Sequence, residues 1–203
     1  KVDVRTNSEA ISIDRANKKL RIKDLRNNNI YEETYDKLVL SPGGYPVRPP
    51  IPGINDPRIF TVRNLHDMDL IRSFINEKKP GKAIVVGGGF IGLELAENLH
   101  NLGMLVSVVE LAGQVMNLLD FEMASVIHQH LKSNNIELYL KDAVKEFSSV
   151  GGKIEAVLSS GRKISSDMVI LSIGIRPETV LAKEAGLEIG ELGGIKVNKR
   201  LET

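Results

Sequence analysis

The chain has 203 residues, of which 42% are apolar and 26% are charged, with 27 Lys and Arg against 26 Asp and Glu. This near-neutral composition is that of a soluble globular protein and excludes a broad basic nucleic-acid surface, and no apolar run reaches membrane-span length. Cysteine is absent, which excludes a thiolate nucleophile, a disulfide and a Cys-ligated metal. With no secretory leader visible, the sequence predicts a cytoplasmic protein that binds neither nucleic acid nor membrane.

The first part of the chain predicts short antiparallel strands. Apolar and polar residues alternate over residues 10–14 and again over residues 20–22, as in strands with one buried face. A β-prone run over residues 34–41 then enters a Pro-Gly-Gly turn. Six prolines follow between residues 42 and 57. Because proline removes a backbone donor and fixes φ, this stretch is predicted to be a linker between two units.

Beyond residue 64 the pattern changes to alternating helices and strands. Asn64 is the predicted N-cap of a helix that ends before Pro80, and Gly103 ends a second helix. The predicted helices cover residues 65–79, 90–102 and 121–131, and the predicted strands cover residues 83–86, 105–110, 136–140 and 168–173, with two glycine-turned strands around Gly151 and Gly161. This alternation predicts an α/β fold with a mostly parallel sheet and helices on both faces.

A glycine-rich turn lies between the strand at 83–86 and the helix that follows it. It fits the pattern G-x-G-x-x-G, in which Gly87 permits the turn, Gly89 lets a pyrophosphate approach the backbone and Gly92 allows close helix packing. The unpaired N–H groups and partial positive charge of the helix N-terminus attract an anion. The predicted dinucleotide-binding residues are Gly87, Gly88, Gly89, Phe90, Ile91 and Gly92.

Glu110 ends the next predicted strand, about 18 residues after Gly92, close to the offset of roughly 20 residues expected for a ribose-binding acid. A carboxylate there accepts hydrogen bonds from the adenosine ribose and repels a 2′-phosphate. At about 4 Å, that repulsion is about 1 kcal/mol in water and about 4 kcal/mol at an effective dielectric near 20. Residues 111–119 contain no Arg or Lys to hold a second phosphate, so NADH is the predicted cofactor.

The other polar candidates are less specific. Glu94 lies two residues past Gly92, where a carboxylate can either compensate the helix dipole or serve in catalysis. His128 and His130 are two residues apart on a predicted helix and therefore lie on different faces. The sequence accordingly predicts no metal site and no catalytic histidine.

With these residues, the chain resembles the FAD-dependent pyridine nucleotide-disulfide oxidoreductases. Residues 84–94 resemble the NADH-binding fingerprint of that family, and residues 34–43 resemble its inner flavin-domain motif. Residues 170–177 resemble the strand and turn that close the nicotinamide domain, and residues 194–198 the strand that returns to the flavin domain. The subgroup it most resembles contains NADH oxidases, coenzyme A disulfide reductases and NADH-dependent persulfide reductases.

The resemblance implies that NADH passes a hydride to FAD and that two residues serve catalysis. Phe90 matches the bulky position that covers the flavin when NADH is absent. Glu94 matches a carboxylate that reaches toward the flavin and pairs with a lysine of an N-terminal segment, and Gly174 matches a backbone contact near the nicotinamide. The backbone close to bound FAD is matched by Ser41, Pro42 and Gly43.

The chain also departs from that family, because it has no second G-x-G-x-x-G before residue 87 and no redox-active cysteine. The resemblance therefore implies the centre of a larger enzyme. Residues 1–64 would form part of an FAD-binding domain, with a β-meander and the Pro-rich linker. Residues 65–177 would form a Rossmann-like NADH-binding domain, and residues 178–203 a segment returning to the FAD domain. The isolated chain is expected to bind FAD weakly or not at all and not to turn over.

The partners implied are the N- and C-terminal segments of the same enzyme, a small-molecule acceptor and, at full length, a second copy in a homodimer. The acceptor would be a disulfide, a persulfide or oxygen. Two other functions stay open: a stand-alone NADH-binding or redox-sensing module, and a cysteine-free reductase that feeds ferredoxin-like partners. Residues 186–197 favour the disulfide reductase subgroup by resemblance.

Overall fold

A computed structural model describes residues 2–203 and divides the chain into two compact units. The larger unit is continuous and spans Pro46–Ile175, whereas the smaller unit joins the residues up to Tyr45 with Arg176–Thr203. No helix within residues 2–203 is both long and apolar enough to cross a bilayer.

Residues 2–203 form thirteen strands and four helices. The strands are β1 (Ser8–Asp14), β2 (Lys19–Asp24), β3 (Ile30–Thr34), β4 (Gly44–Pro46), β5 (Ile59–Thr61), β6 (Lys82–Val86), β7 (Leu105–Glu110), β8 (Glu137–Leu140), β9 (Val144–Val150), β10 (Lys153–Leu158), β11 (Lys163–Ser166), β12 (Met168–Leu171) and β13 (Ile175–Pro177). The helices are α1 (Leu65–Lys78), α2 (Phe90–Asn101), α3 (Phe121–Ser133) and α4 (Val180–Glu184).

Five parallel strands form the central sheet of the larger unit, in the order β5-β12-β6-β7-β8. The inner strands are almost continuous apolar runs because both of their faces are covered. Ile84 and Val85 of β6, on opposite faces, are both fully buried. The predicted α/β class and the parallel sheet are confirmed.

Three helices cover one face of this sheet. Ile71 of α1, Leu99 of α2 and Leu131 of α3 share one apolar cluster with Val85 and its neighbours on that face. The first of these helices begins at Leu65 because Asn64 caps it. The Asn64 side chain accepts the N–H of Asp67 at 3.1 Å and the Asp67 carboxylate accepts the N–H of Asn64 at 3.1 Å, so the predicted N-cap is confirmed.

The opposite face of the sheet is covered by strands, whereas the sequence predicted helices on both faces. There the antiparallel strands β9, β10 and β11 form a meander whose Phe147 and Ile154 pack on Ile84 and Val169. Strands β10 and β11 alternate buried residues with more exposed ones, so a single apolar face lies on the sheet. Turns at Gly151 and Gly161 reverse the chain, so this segment forms three short strands and no helix.

The proline-rich stretch is part of the larger unit rather than a linker. Ile54 is buried in the cluster beneath the meander, Ile51 packs against it, and the N–H of Phe147 donates to the carbonyl of Pro52 at 2.9 Å. The adjoining strand β5 pairs with β12 in the central sheet. The division therefore falls at Pro46, earlier than the predicted boundary between residues 64 and 65.

The smaller unit contains the predicted antiparallel meander, in the order β1-β2-β3. Arg15, just after β1, donates to the carbonyls of Ala185 and Gly186 at 3.4 and 3.1 Å. Two predicted strands are missing. Residues 38–40 have no regular structure, with Val39 84% exposed, and residues 194–198 contribute only an isolated bridge. Residues 38–40 pair with no strand in the described part of the chain, and residue 195 pairs only with Ile189.

Candidate functional site

A cavity of about 600 Å³ opens in the larger unit at the carboxyl ends of β6, β7 and β12. Its walls are the glycine-rich turn, the end of β7, residues 116–118 of the β7–α3 loop and residues 142–144 after β8. Ligands of parallel α/β sheets bind in the crevice outside the carboxyl ends of the strands. We call this cavity the cleft.

Two glycines of the turn are required by the protein's own packing. Gly87 has φ +107°, and a Cβ on it would lie 2.1 Å from the carbonyl oxygen of Ser172. A Cβ on Gly92 would lie 2.0 Å from the carbonyl oxygen of Gly87. Any side chain at either position would push the turn apart, so both glycines are explained by the strand-to-helix geometry.

Gly89 differs from these two glycines because nothing lies within 4 Å of the position its Cβ would take. The fold therefore does not require glycine at this residue, and the open space faces the cleft that Gly89 lines. Gly89 is also the N-cap of α2 and provides no side-chain cap. The first amides of α2 thus have no side-chain acceptor from the cap, which fits an anion that approaches the bare backbone.

Glu110 lies half-buried at the end of β7, beside the glycine turn. Its Oε2 accepts the N–H of Gly88 at 2.6 Å and its Oε1 accepts the N–H of Ala112 at 2.7 Å. A carboxylate offers about four acceptor positions, so each oxygen can still accept a further hydrogen bond. The structure therefore brings the predicted ribose acceptor next to the predicted pyrophosphate site.

The loop between β7 and α3 contacts the glycine turn through residues 115 and 116. The N–H of Met116 donates to the carbonyl of Gly88 at 2.8 Å, and the buried side chain of Val115 lies directly against that glycine. The N–H of Val115 in turn donates to Nε2 of His128 on α3, at 3.2 Å. Neither Val115 nor His128 was predicted to matter, because each contact joins residues that are far apart in the sequence.

Asp142 is a buried carboxylate on the wall of the cleft that the sequence did not single out. Burial alone would raise the pKa of Asp142. Hydrogen bonds donated by Ser160 and Ser159 and by the N–H of Ala143 outweigh that effect and lower the pKa below its ordinary value. The ionised Asp142 ties the β8–β9 turn to the β10–β11 turn.

A second cavity, of about 390 Å³, adjoins the cleft at the start of α2. Phe90 lines both cavities and is 63% exposed, and Ile91 and Gly174 lie on the second cavity only. Pro46 and Val62 add to its mostly apolar lining. The structure thus places Phe90 and Gly174 on the lining of the same mostly apolar cavity.

Gly92, which packs against the turn, lines neither cavity, and four further predicted site residues also lie outside both. Glu94 is exposed on α2, and its carboxylate has no hydrogen-bond or ion-pair partner within residues 2–203. In the smaller unit, Ser41, Pro42 and Gly43 are exposed and have no regular secondary structure. The structure leaves the predicted roles of these four residues untested.

A parallel sheet, a glycine-rich strand-to-helix turn and an acid at the end of the next strand define a Rossmann-like dinucleotide-binding domain. The comparison with known families is more specific. The chain belongs to the pyridine nucleotide-disulphide oxidoreductase family, whose model matches residues 1–203. The predicted family is thereby confirmed.

Three similar proteins illustrate the relationship. An NADH oxidase of Methanocaldococcus jannaschii is 38% identical over 100% of this chain, which covers 45% of that protein. The reduced CoADR-RHD of Bacillus anthracis is 46% identical with a TM-score of 0.92, over 96% of this chain and 35% of that one. An NAD-dependent persulfide reductase of A. fulgidus is 37% identical with a TM-score of 0.90, over 97% and 36%. The chain spans less than half the length of each.

Proposed function

We propose that this chain is the NADH-binding part of an FAD-dependent oxidoreductase that passes a hydride from NADH to flavin and on to a disulfide, persulfide or oxygen acceptor. The observation that carries this proposal is the cleft, where the open backbone at Gly89 and the carboxylate of Glu110 lie side by side. The relatives support it, since two of them are named an NADH oxidase and an NAD-dependent persulfide reductase.

The start of α2 would bind the pyrophosphate of NADH. Its first N–H groups point out of the helix without intrahelical acceptors, and the helix dipole adds about half a positive charge there. Because Gly89 has no side chain, a phosphate oxygen can come within hydrogen-bond distance of these amides.

Glu110 would bind the adenosine ribose and select against NADPH. Its two oxygens are held by the N–H groups of Gly88 and Ala112, so the carboxylate is aimed along the wall of the cleft. A 2′-phosphate at the same place would meet a like charge, with a repulsion of about 1 to 4 kcal/mol. The β7–α3 loop offers no Arg or Lys to offset it.

Phe90 and Gly174, on the second cavity beside the cleft, would border the nicotinamide of NADH. When bound, NADH supplies the hydride and FAD accepts it. The exposed ring of Phe90 lies on the wall of the apolar second cavity and would contact the cofactor there. Glu94 is proposed by resemblance to reach toward the flavin.

The described residues fit the dinucleotide better than they fit a flavin. Residues 41–43 are exposed and offer FAD only backbone groups and the hydroxyl of Ser41. We therefore expect this chain alone to retain little or no FAD. The rest of a flavin site would come from the remainder of a longer enzyme, as the partial coverage of the relatives suggests.

The test is calorimetric titration of the chain and its Glu110→Ala variant with NADH and with NADPH. We expect the wild-type chain to bind NADH between about fivefold and a thousandfold more tightly than NADPH, the range that the charge repulsion implies. Glu110→Ala should bind NADH more weakly and bring this ratio close to one.

Glu97→Ala is the matched control, because Glu97 is an exposed glutamate on α2 that does not line the cleft. It should keep the wild-type ratio. A wild-type chain that is folded by circular dichroism yet binds no NADH, or a ratio that Glu110→Ala leaves unchanged, would contradict the proposal.

A further inference from the structure

The loop that joins β7 to α3 forms one wall of the cleft and is anchored by an imidazole on α3. The N–H of Val115 donates to Nε2 of His128 at 3.2 Å, and Val115 is fully buried. The half-buried ring of His128 packs edge-on against Phe121, with ring centroids 6.4 Å apart. An Nε2 that accepts a hydrogen bond carries no proton, so this bond exists only while the imidazole is neutral.

Val115 connects His128 to the glycine turn, because it is hydrogen-bonded to His128 and packs against Gly88. Its side chain lies so close to Gly88 that a Cβ on the glycine would meet Cγ1 of Val115 at 2.8 Å. The next residue, Met116, donates its N–H to the carbonyl of Gly88 at 2.8 Å, while the N–H of Gly88 donates to Glu110 at 2.6 Å. Gly88 is therefore held between the anchored loop and the proposed ribose acceptor.

We propose that His128 is a positioning residue for the dinucleotide: its neutral ring fixes the β7–α3 loop against the glycine turn, and its protonation releases the loop and weakens NADH binding. This inference rests on the proposed function, because it takes the cleft to be the NADH site. His128 does not line the cleft itself and acts through Val115.

The surroundings of the ring favour its neutral form. Burial lowers the pKa of His128 below its ordinary value of 6.5, and the positive charge of Lys132 on the same helix lowers it further. Residues 111–119 carry no titratable side chain. On β8, which packs against α3, the leucines belong to the cluster on the helix side, whereas the titratable Glu137 and Tyr139 alternate with them and point to the other face.

The sign of the pH dependence follows from these shifts. Because the pKa in the folded chain is lowered, the neutral ring and the Val115 bond predominate at pH 6.5 and above. As the pH falls through the lowered pKa, protonation removes the acceptor. The affinity for NADH should therefore be constant on the alkaline side and fall on the acid side.

The experiment is the pH profile of NADH binding by the whole 203-residue chain, measured by calorimetry between about pH 5 and pH 8. The variants are His128→Gln, whose amide oxygen can accept the Val115 N–H at any pH, and His128→Phe, which cannot accept it. At about pH 8, His128→Phe should bind NADH roughly three- to tenfold more weakly than wild type, as for the loss of one neutral hydrogen bond.

His128→Gln should stay within about twofold of wild type at pH 8 and should lose the fall in affinity below pH 6.5. His130→Gln is the control, since His130 is exposed on the same helix and does not contact the loop, and it should keep the wild-type profile. The profile of His128→Gln decides the matter even where His128→Phe does not fold.

Two results would overturn the inference and are distinguishable. If wild type binds NADH but His128→Gln keeps the acid-side fall, the positioning role of His128 is refuted and the proposed function stands. If the folded wild-type chain binds no NADH at any pH, both are refuted.

Discussion

The two units of this chain bury their apolar residues to very different extents. In the larger unit two clusters lie on the two faces of one sheet, with Ile84 and Ile170 fully buried. In the described part of the smaller unit, Ala182 is the only buried apolar residue, while Val39 and Leu192 are 84% and 97% exposed. The larger unit therefore has a core of its own, whereas the smaller unit buries almost no apolar side chain.

Glycine substitutions give the largest effect expected from this difference. Gly87 and Gly43 both have positive φ, +107° and +75°, but a Cβ at Gly87 meets the Ser172 carbonyl at 2.1 Å whereas a Cβ at Gly43 meets nothing within 4 Å. We expect Gly87→Ala to lower the free energy of unfolding by about 3 kcal/mol or more, and Gly43→Ala by about 1 kcal/mol. Urea denaturation measures both, and equal losses for the two variants would contradict this difference between the units.

Valine substitutions test the two units with identical chemistry. Val85 in the larger unit is fully buried and Val39 in the smaller unit is 84% exposed. Val85→Ala should cost about 2 kcal/mol, through lost burial and the cavity left behind, whereas Val39→Ala should change stability by less than about 0.5 kcal/mol. A large loss for Val39→Ala in the same denaturation series would show that the smaller unit has a core of its own.

Replacing a carboxylate in each unit should give a smaller difference in stability, and one that depends on pH. The hydrogen bonds that lower the pKa of Asp142 stabilise the fold fully above the ordinary value of 3.8, and this stability is lost as the pH falls through the lowered pKa. Asp142→Asn should therefore cost about 1 to 2 kcal/mol at neutral pH, and the difference from wild type should shrink in acid.

The control for that measurement is Asp36→Asn, because Asp36 is an exposed carboxylate in the smaller unit. Its unfolding curve should match wild type at every pH. Acid titrations of all three proteins, followed by circular dichroism, make the comparison. An Asp142→Asn protein that loses as much stability in acid as wild type would contradict the assignment.

Much of the fold follows from local sequence patterns. The cap at Asn64, the buried strand before Gly87 and the acid that ends β7 are each specified by residues a few positions apart, and the structure has all three. The apolar pattern also predicts strands around Gly151 and Gly161, but it does not say which surface they cover. That depends on contacts with β6 and β12, which are distant in the sequence.

The parts of the site that sequence missed are those made by long-range hydrogen bonds. Asp142 accepts hydrogen bonds from Ser159 and Ser160, and His128 accepts the Val115 N–H, so none of these residues belongs to a local motif. The strand predicted around Val39 is absent for a different reason. Its composition is typical of a strand, but a strand needs a neighbour to pair with, and composition says nothing of that.

The two backbone N–H groups that donate to the Glu110 carboxylate also restrict the motion of its side chain. A free glutamate side chain loses roughly 1.5 to 2 kcal/mol of rotamer entropy when it is immobilised. Here Gly88 and Ala112 have already restricted the carboxylate, so this entropy is lost on folding and not on ligand association. A sugar entering the cleft meets a preorganised acceptor, and more of its hydrogen-bond energy is available as affinity.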